Sequence, residues 1–269
     1  MKIMEGKRGL IMGLANQASI AWGISEALAS QGAQLAFSYP NPLFEKRVRP
    51  LAESFKSNLV FPCDVSKAGD IRRLFEMVGE KWDSLDFVLH SIAFSDKNEL
   101  KGGYVDTSYE NFTNTMNVSC YSFTSVAQHA RPLMKKGGSL LTLSYHGAQR
   151  VMPHYNVMGV AKAALEASVR YLAADLGGDN IRVNALSAGP IKTLAASGIG
   201  DFRYILQWNQ LNAPLKRNIT LKDVGGSGLY LLSDLASGVT GEVHHVDAGY
   251  HVVGMKRVDA PDIATVAAS

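Results

Sequence analysis

The stretch that decides the fold is "GLIMGLANQASIAWG", residues 9–23. An apolar run ends at a glycine turn, and the residues after the turn read as the start of a helix. Open α/β sheets hold a pyrophosphate at such a junction. Gly13 allows the tight turn, Ser19 can cap the helix or hydrogen-bond a phosphate, and Gly23 lets the helix approach the sheet. The stretch is not G-x-G-x-x-G, so an ordinary turn between strand and helix is the alternative.

Short apolar runs alternate with amphipathic ones along the rest of the chain, which predicts repeated β-α-β units. We therefore expect an α/β fold: one Rossmann-type doubly wound domain over residues 1–269, with about seven parallel strands flanked by helices. The predicted strands are 9–13, 33–39, 58–65, 86–94, 138–145, 181–187 and 241–249, and the predicted helices are 20–31, 43–56, 67–82, 109–135, 154–176 and 221–235. Residues 190–215 interrupt this rhythm and predict a helical substrate-binding lid, and residues 256–269 form a tail.

Composition excludes several classes of function. Apolar residues make up 46% of the chain and the formal net charge is +3, so a protein that binds nucleic acid through phosphate contacts is not expected. The only cysteines, Cys63 and Cys120, predict buried free thiols in a reducing compartment. No apolar run suits a membrane span, no signal peptide is visible and the histidines form no metal-ligand pattern. We expect a cytoplasmic protein that binds no membrane and no metal.

Polar residues at the ends of the predicted strands predict a nucleotide crevice. The second strand ends in "FSYPNP" (37–42), which has neither the acid that binds a ribose 2′-hydroxyl nor an arginine for a 2′-phosphate. This position alone leaves NAD and NADP open. Asp64 ends the third strand and suits either an adenine amino group or a helix N-cap. "HSIAF" (90–94) ends the fourth strand, where backbone would flank a ribose.

The stretch "SYHGAQRVMPHYNVMGVAK", residues 144–162, contains the candidate catalytic side chains. Seven residues turn a helix through about 700°, so Tyr155 and Lys162 would share one face of a helix that begins near Pro153. A lysine near a tyrosine favours the phenolate and would lower the pKa of Tyr155. Tyr145, at the end of the fifth strand, would face the same crevice from another direction. The alternative is a packing tyrosine and a solvated lysine.

Several motifs together resemble the bacterial NADH-dependent enoyl-acyl-carrier-protein reductases, a divergent branch of the short-chain dehydrogenases. The resemblance runs from about residue 3 to residue 255. Ordinary short-chain dehydrogenases have Tyr-x-x-x-Lys, whereas "YNVMGVAK" (155–162) places Met158, which cannot donate a proton, four residues before Lys162. The other matching motifs are "GLANQASIAWG", "CDV", "HSIAF", "LLTLSY", "RVNALSAGPIKTLAASGI" and "GEVHHVDAG".

The resemblance implies hydride transfer from NADH to the double bond of trans-2-enoyl-acyl-carrier-protein thioesters, the last step of the fatty acid elongation cycle. It also implies acyl carrier protein as the partner and a homotetramer. Tyr155 would hydrogen-bond the thioester carbonyl, Lys162 would hold the nicotinamide ribose, and Tyr145 would contact substrate and relay a proton. The implied cofactor-binding residues are Gly13, Ser19, Ile20, Asp64, Val65, Ser91, Ile92, Ala93, Lys162, Ile191, Lys192, Thr193, Leu194 and Ala195. The implied substrate-binding residues are Ser95, Leu100, Tyr145, Tyr155, Met158, Ala196, Ile199 and Phe202.

The unusual spacing has a physical interpretation. Hydride reaches the β-carbon of an enoyl thioester, two bonds from the carbonyl carbon, so the stabilising hydroxyl must lie farther from the nicotinamide than in a carbonyl reductase. Moving the tyrosine from four to seven residues before the lysine shifts it by about 4.5 Å along a helix. Two departures from the family stand out, Pro40 beside the adenine ribose and Ala93 in place of glycine. The alternatives are a carbonyl or alcohol dehydrogenase of the short-chain family and a catalytically inactive nucleotide-binding protein.

Overall fold

The computed structural model describes residues 2–193 and 201–261, and these form one sheet of seven parallel strands with helices on both faces. All seven predicted strands are present, although the third, fourth and seventh are shorter than predicted. The strands are β1 Arg8–Met12, β2 Gln34–Tyr39, β3 Val60–Pro62, β4 Phe87–His90, β5 Gly138–Ser144, β6 Ile181–Ala188 and β7 Val243–Val246. Both cysteines are buried and free, as predicted.

The helices cover all the predicted helical stretches, with changes at their ends. They are α1 Ile20–Ser30, α2 Pro42–Ser54, α3 Asp70–Gly79, α4 Tyr109–Met116, α5 Ser122–Ala130, α6 Asn156–Leu176, α7 Phe202–Asn212 and α8 Leu221–Leu232. Helix α7 lies within the predicted lid at 190–215, whereas residues 194–200 of that lid are outside the described residues. Among the described helices, none is long and apolar enough to span a bilayer.

The single helix predicted over 109–135 is broken into several segments. Helix α4 ends at Met116, a π-helical turn follows at Asn117–Tyr121, and α5 then runs to Ala130. A 3-10 turn at Arg131–Leu133 completes the segment, where Pro132 has no N–H to continue the α-helical ladder. The π-helical turn matters for the site because it carries Val118, which lines the largest cavity described below.

Helix α6 begins at Asn156, so the prediction that it starts near Pro153 is wrong. His154 has φ 54°, and a right-handed helix does not extend back through such a residue; Asn156, the first residue of α6, also has a positive φ, of 39°. Tyr155 is consequently the N-cap residue and lies just outside the helix that carries Lys162. Lys162 is therefore positioned by α6, whereas Tyr155 is positioned by the turn that precedes α6.

The strand order β3-β2-β1-β4-β5-β6-β7 reverses direction between β1 and β4. One core lies between the sheet and α3, α5 and α6, and the other lies between the sheet and α1, α2 and α8. In doubly wound sheets the ligand crevice opens at the carboxyl ends of the strands, where the order reverses. The fold therefore predicts a ligand site at the carboxyl ends of β1 and β4.

Candidate active site

A cavity of about 660 Å³ opens at the carboxyl ends of β1, β2 and β4, at the predicted crevice. Gly13 is required at its floor, because it has φ 95° and an added Cβ would lie 1.9 Å from the carbonyl oxygen of Ser91. The predicted cofactor residues in the lining are Gly13, Ser19, Ile20, Asp64, Val65, Ser91, Ile92, Ala93, Lys162 and Thr193. The volume and the strand-end position suit a dinucleotide.

Of the two roles predicted for Ser19, capping of the helix is not found, and its side chain shapes the turn instead. Its hydroxyl oxygen accepts hydrogen bonds from the backbone N–H of Ala15 at 3.2 Å and of Asn16 at 3.0 Å. Although Ser19 occupies the N-cap position of α1, its side chain caps no amide of that helix. The N-terminus of α1 therefore keeps its partial positive charge beside the cavity, as an anion site requires.

The part of the cavity at the ends of β2 and β3 combines Asp64 with neutral side chains. The Oδ1 of Asp64 accepts from the N–H of Ser66 at 3.1 Å and from its hydroxyl at 2.6 Å. The alternative role of Asp64 as a helix N-cap is wrong, because Gly69 occupies that position in α3. Sequence analysis did not identify four neutral residues of this lining, which are Ser38, Asn41, Phe44 and Cys63.

Lys162 is buried, with 5% of its surface exposed, and it lines the cavity from α6. Its Nζ donates a 2.7 Å hydrogen bond to the carbonyl oxygen of Leu143 near the end of β5. Burial lowers the pKa of Lys162 to about 8, although Cys120 and Glu166 act in the opposite direction. The ammonium therefore titrates close to physiological pH in the absence of a ligand.

The two tyrosines, Tyr145 after β5 and Tyr155 before α6, form a pair. The ring centroids of Tyr145 and Tyr155 are 5.0 Å apart and the rings meet edge to face at 75°. Burial raises the pKa of both hydroxyls well above the usual value, so the prediction of a lowered pKa for Tyr155 is wrong. Desolvation is the largest cause, and Tyr145 and Glu166 raise the pKa of Tyr155 further. Both groups are therefore neutral hydroxyls that can donate hydrogen bonds.

Gly147 allows the tyrosine pair to form, and sequence analysis did not identify it. A Cβ on Gly147 would lie 2.4 Å from Cδ1 of Tyr155, so any larger residue would displace that ring. Gly159 is similarly constrained, because its Cβ would lie 2.8 Å from the carbonyl oxygen of Gly147. The turn after β5 and the first turn of α6 are therefore in direct backbone contact.

The apolar wall predicted for the substrate is only partly brought together. Leu100 and Met158 are buried in one cluster with Tyr155, and the Nδ2 of Asn156 donates to the carbonyl oxygens of Leu100 at 3.3 Å and Gly102 at 2.8 Å. Sequence analysis did not identify this role of Asn156. The Ser95 hydroxyl donates to Oδ1 of Asn111 and accepts from the Thr115 hydroxyl, and Phe202 begins α7. Ile191 and Lys192 are outside the cavity lining, and Leu194, Ala195, Ala196 and Ile199 are outside the described residues.

His90 is a fully buried residue that ties the cavity wall to the sheet. Its Nε2 lies 2.8 Å from the hydroxyl of Ser122, which itself donates to the carbonyl oxygen of Val118 at 2.7 Å. Its Nδ1 lies 3.1 Å from Oγ1 of Thr142, so each ring nitrogen has a hydroxyl partner. Burial lowers the pKa of His90 to about 3, so the ring stays neutral and holds the π-helical turn in place.

Comparison with known proteins agrees with this site. A model of the family described as enoyl-(acyl carrier protein) reductase matches residues 13–251. The chain is 64% identical over 264 residues to enoyl-(acyl-carrier-protein) reductase (NADH) 1 of Rhizobium meliloti (strain 1021), covering 98% of this chain and 97% of the relative.

Two solved structures have the same fold. The enoyl-(acyl-carrier-protein) reductase of Anaplasma phagocytophilum, in complex with NAD, matches with a TM-score of 0.93 and 62% identity, over 97% of this chain and 98% of that one. FabI of Candidatus Liberibacter asiaticus matches with a TM-score of 0.93 and 54% identity, over 96% of this chain and 100% of that one. The chain therefore belongs to the enoyl-(acyl carrier protein) reductase family.

Proposed function

We propose that the chain reduces the double bond of trans-2-enoyl-acyl-carrier-protein thioesters with NADH, the last step of the fatty acid elongation cycle. The observation that carries the proposal is the position of buried Lys162 in the wall of the large cavity, together with the edge-to-face pair of Tyr145 and Tyr155. The Rhizobium meliloti relative is named as an NADH-dependent reductase of this class, and NAD is bound in the Anaplasma structure.

The large cavity is the proposed cofactor site. NADH, when bound, supplies the hydride. The N-terminus of α1 and the turn at Gly13 would hold the diphosphate. The adenine would lie against Asp64 and Val65, and the riboses would lie against Ile92 and Lys162. The other predicted cofactor residues in this wall are Ser91, Ala93, Ser19, Ile20 and Thr193. The further assignments Ile191, Lys192, Leu194 and Ala195 rest on the family resemblance alone.

Tyr155 is the proposed hydrogen-bond donor to the thioester carbonyl oxygen. Because burial keeps its hydroxyl protonated, the proton is available as negative charge develops on that oxygen. Lys162 binds cofactor in this scheme rather than activating a phenolate. Tyr145, edge-on to Tyr155, contacts the acyl thioester from the β5 side.

Met158 argues against reduction of a simple carbonyl. It occupies the position four residues before Lys162, where an ordinary short-chain dehydrogenase has its tyrosine. The Met158 side chain is buried, and its sulfur accepts from the Ser119 hydroxyl at 3.7 Å. A thioether has no proton to give to an alkoxide. Tyr155 stands three residues earlier, in the turn that precedes α6, and is the proposed donor in place of that tyrosine.

The proposed walls for the acyl chain are formed by Leu100, Met158, Ser95, Phe202, Ala196 and Ile199. The proposed lid at 190–215 is supported by α7, because Ile205 and Trp208 line a second cavity beside Tyr145. Acyl carrier protein is the proposed partner that presents the thioester at this face.

We also propose a single cytoplasmic reductase domain that assembles as a homotetramer. The helices α4 to α6 carry aromatic side chains that are largely exposed in the protomer, with exposed fractions of 79% for Tyr109, 60% for Tyr121 and 76% for Tyr171. Aromatic groups clustered on one side of a protomer favour contact with further copies.

The first test is NADH oxidation at 340 nm with crotonyl thioester, repeated with NADPH. We expect turnover with NADH and a lower kcat/KM with NADPH, because "FSYPNP" offers no cation for a 2′-phosphate. Acetoacetyl thioester is the control substrate, since a carbonyl reductase would use it instead. Binding of NADH without turnover of any enoyl thioester would contradict the proposal.

The pH dependence of NADH affinity tests the assignment of Lys162. Its ammonium is charged below its pKa of about 8 and neutral above it, so NADH Kd should rise as pH increases from 7 to 9.5. The change is bounded by about tenfold per pH unit for one proton. Fluorescence titration measures it, with Lys162→Met as the control that binds more weakly and shows no such rise. A flat profile in the unmodified protein would rule the assignment out.

Tyr155→Phe tests the role of the hydroxyl. Loss of one such donor can cost about 10²–10³ in kcat, but an enoyl thioester already delocalises charge and water can substitute, so we expect roughly tenfold. Steady-state kinetics with crotonyl thioester measures kcat, and NADH Kd should stay unchanged. If kcat were unaffected while NADH bound less tightly, Tyr155 would be a cofactor residue instead.

A further inference from the structure

Glu166 is a buried carboxylic acid to which the proposed reaction gives no role. It lies on α6, one helical turn after Lys162, and only 6% of its surface is exposed. Burying a carboxylate is costly unless hydrogen bonds satisfy its oxygens. The partners of its two oxygens therefore show what holds Glu166 in place and what it holds.

The hydrogen bonds of Glu166 reach both sides of Tyr145. Its Oε1 accepts from the Ser144 hydroxyl at 2.6 Å, and its Oε2 accepts from Nε2 of Gln149 at 3.4 Å. Ser144 ends β5 immediately before Tyr145, and Gln149 follows the 3-10 turn His146–Ala148 that comes after it. The first bond is much the shorter and is the stronger restraint. One carboxylate thus ties the chain before and after Tyr145 to α6.

Lys162 holds the neighbouring residue of the same strand. Its ammonium donates to the carbonyl oxygen of Leu143 at 2.7 Å, one residue before Ser144. Because Lys162 and Glu166 are four residues apart, they extend from the same face of α6. Two consecutive residues of β5 are therefore tied to one helix, by a cation at Leu143 and an anion at Ser144, immediately before Tyr145.

These contacts determine where Tyr145 meets Tyr155. Tyr145 continues the extended backbone of β5, with φ −148° and ψ 152°, and its ring lies 5.0 Å from the Tyr155 ring between centroids. Ser144 is 5% exposed, so without Glu166 its hydroxyl would lose its acceptor, which is costly for a buried donor. The strand end could then shift to find another partner, and Tyr145 would move with it.

We propose that Glu166 is a positioning residue of the reaction, which fixes Ser144 and Gln149 around Tyr145 and places its charge beside Lys162. The inference rests on the proposed function, in which Tyr145 contacts the acyl thioester. Glu166 is outside the described linings of both cavities, so it acts through Tyr145 and Lys162 and not by touching substrate or cofactor. A displaced Tyr145 hydroxyl loses its alignment with the reacting atoms, which slows the chemical step.

The charge of Glu166 has a second measurable effect, on Lys162. Burial lowers the pKa of Lys162, whereas Cys120 and Glu166 raise it. Burial also raises the pKa of the Cys120 thiol, and the ring of His90, which faces Lys162 from β4, stays neutral. Among these groups Glu166 is therefore the negative charge that acts on Lys162, and its removal should let the Lys162 pKa fall further.

Glu166→Met and Glu166→Gln are the principal tests, measured with crotonyl thioester and saturating NADH at about pH 6, where Lys162 is charged. Methionine keeps the length of the side chain but removes both acceptors, so we expect kcat to fall roughly tenfold with NADH Kd unchanged. Glutamine keeps an acceptor for the Ser144 hydroxyl, so it should retain most of kcat. Normal kcat in Glu166→Met, or equal losses in the two variants, would overturn the proposal.

The pH dependence of NADH affinity distinguishes this role from a merely structural one. Both variants remove the carboxylate charge, so Lys162 should lose its proton at a lower pH than in the unmodified protein. The rise in NADH Kd with increasing pH should therefore begin at a lower pH, which fluorescence titration measures. A profile that is unshifted in both variants would overturn the proposed placement of the Glu166 charge.

Ser144→Ala decides the matter if Glu166→Met does not fold. It removes the hydroxyl but keeps the carboxylate charge, so kcat should fall while the pH profile of NADH affinity stays unchanged; normal kcat would overturn the proposal. Asp175→Asn is the matched control, since it removes one carboxylate from an exposed position on α6 and should behave as the unmodified protein in both measurements. Failure of the unmodified protein to reduce any enoyl thioester, although it binds NADH, would instead refute the proposed function.

Discussion

The hydrogen bond from the Lys162 ammonium to the carbonyl oxygen of Leu143 fixes the geometry of the whole site. It joins α6 to the end of β5 at a point where the lysine is almost fully buried. Burying an ammonium is costly unless it is hydrogen-bonded, so this contact constrains both elements. Because Tyr155 immediately precedes α6 and Tyr145 immediately follows β5, the same bond also sets how the two tyrosines meet.

Close backbone contacts complete this arrangement. Gly13 lies against the Ser91 carbonyl and lets β1 and β4 converge beneath the cofactor cavity, while Gly147 admits the Tyr155 ring against the turn after β5. Hydrogen bonds of the His90 ring link β4 to β5 and to the end of the π-helical turn. The large cavity and the tyrosine pair are thus held by separate contacts, which supports the proposed division of the site into a cofactor side and a substrate side.

The sequence predicted those features that depend on local pattern. Continuous apolar runs predicted all seven strands, because strands covered on both faces contain few polar residues. Strand-end residues such as Gly13, Asp64 and Ile92 could then be assigned to one crevice from topology alone. The start of α6 was predicted wrongly because the pattern of apolar residues does not reveal the positive φ values of His154 and Asn156.

Long-range features of the site could not be predicted in this way. The pKa of Tyr155 was predicted in the wrong direction because spacing along a helix gives proximity but not burial, and burial is the larger effect here. Asn156 bonds the carbonyl of Gly102, 54 residues away, and His90 bonds Thr142, 52 residues away. Such pairs carry no signal in either local stretch, so only the folded chain brings them together.

The division into a cofactor side and a substrate side is tested most directly by NADH Kd in two variants measured side by side. Lys162→Met removes the charged donor from the cofactor cavity, and Tyr145→Phe removes a hydroxyl beyond it. Since a hydrogen bond to a charged group is worth about 1.5–3 kcal/mol, we expect Lys162→Met to weaken NADH by about tenfold or more and Tyr145→Phe to leave it unchanged. Equal weakening in the two variants would contradict the two-sided site.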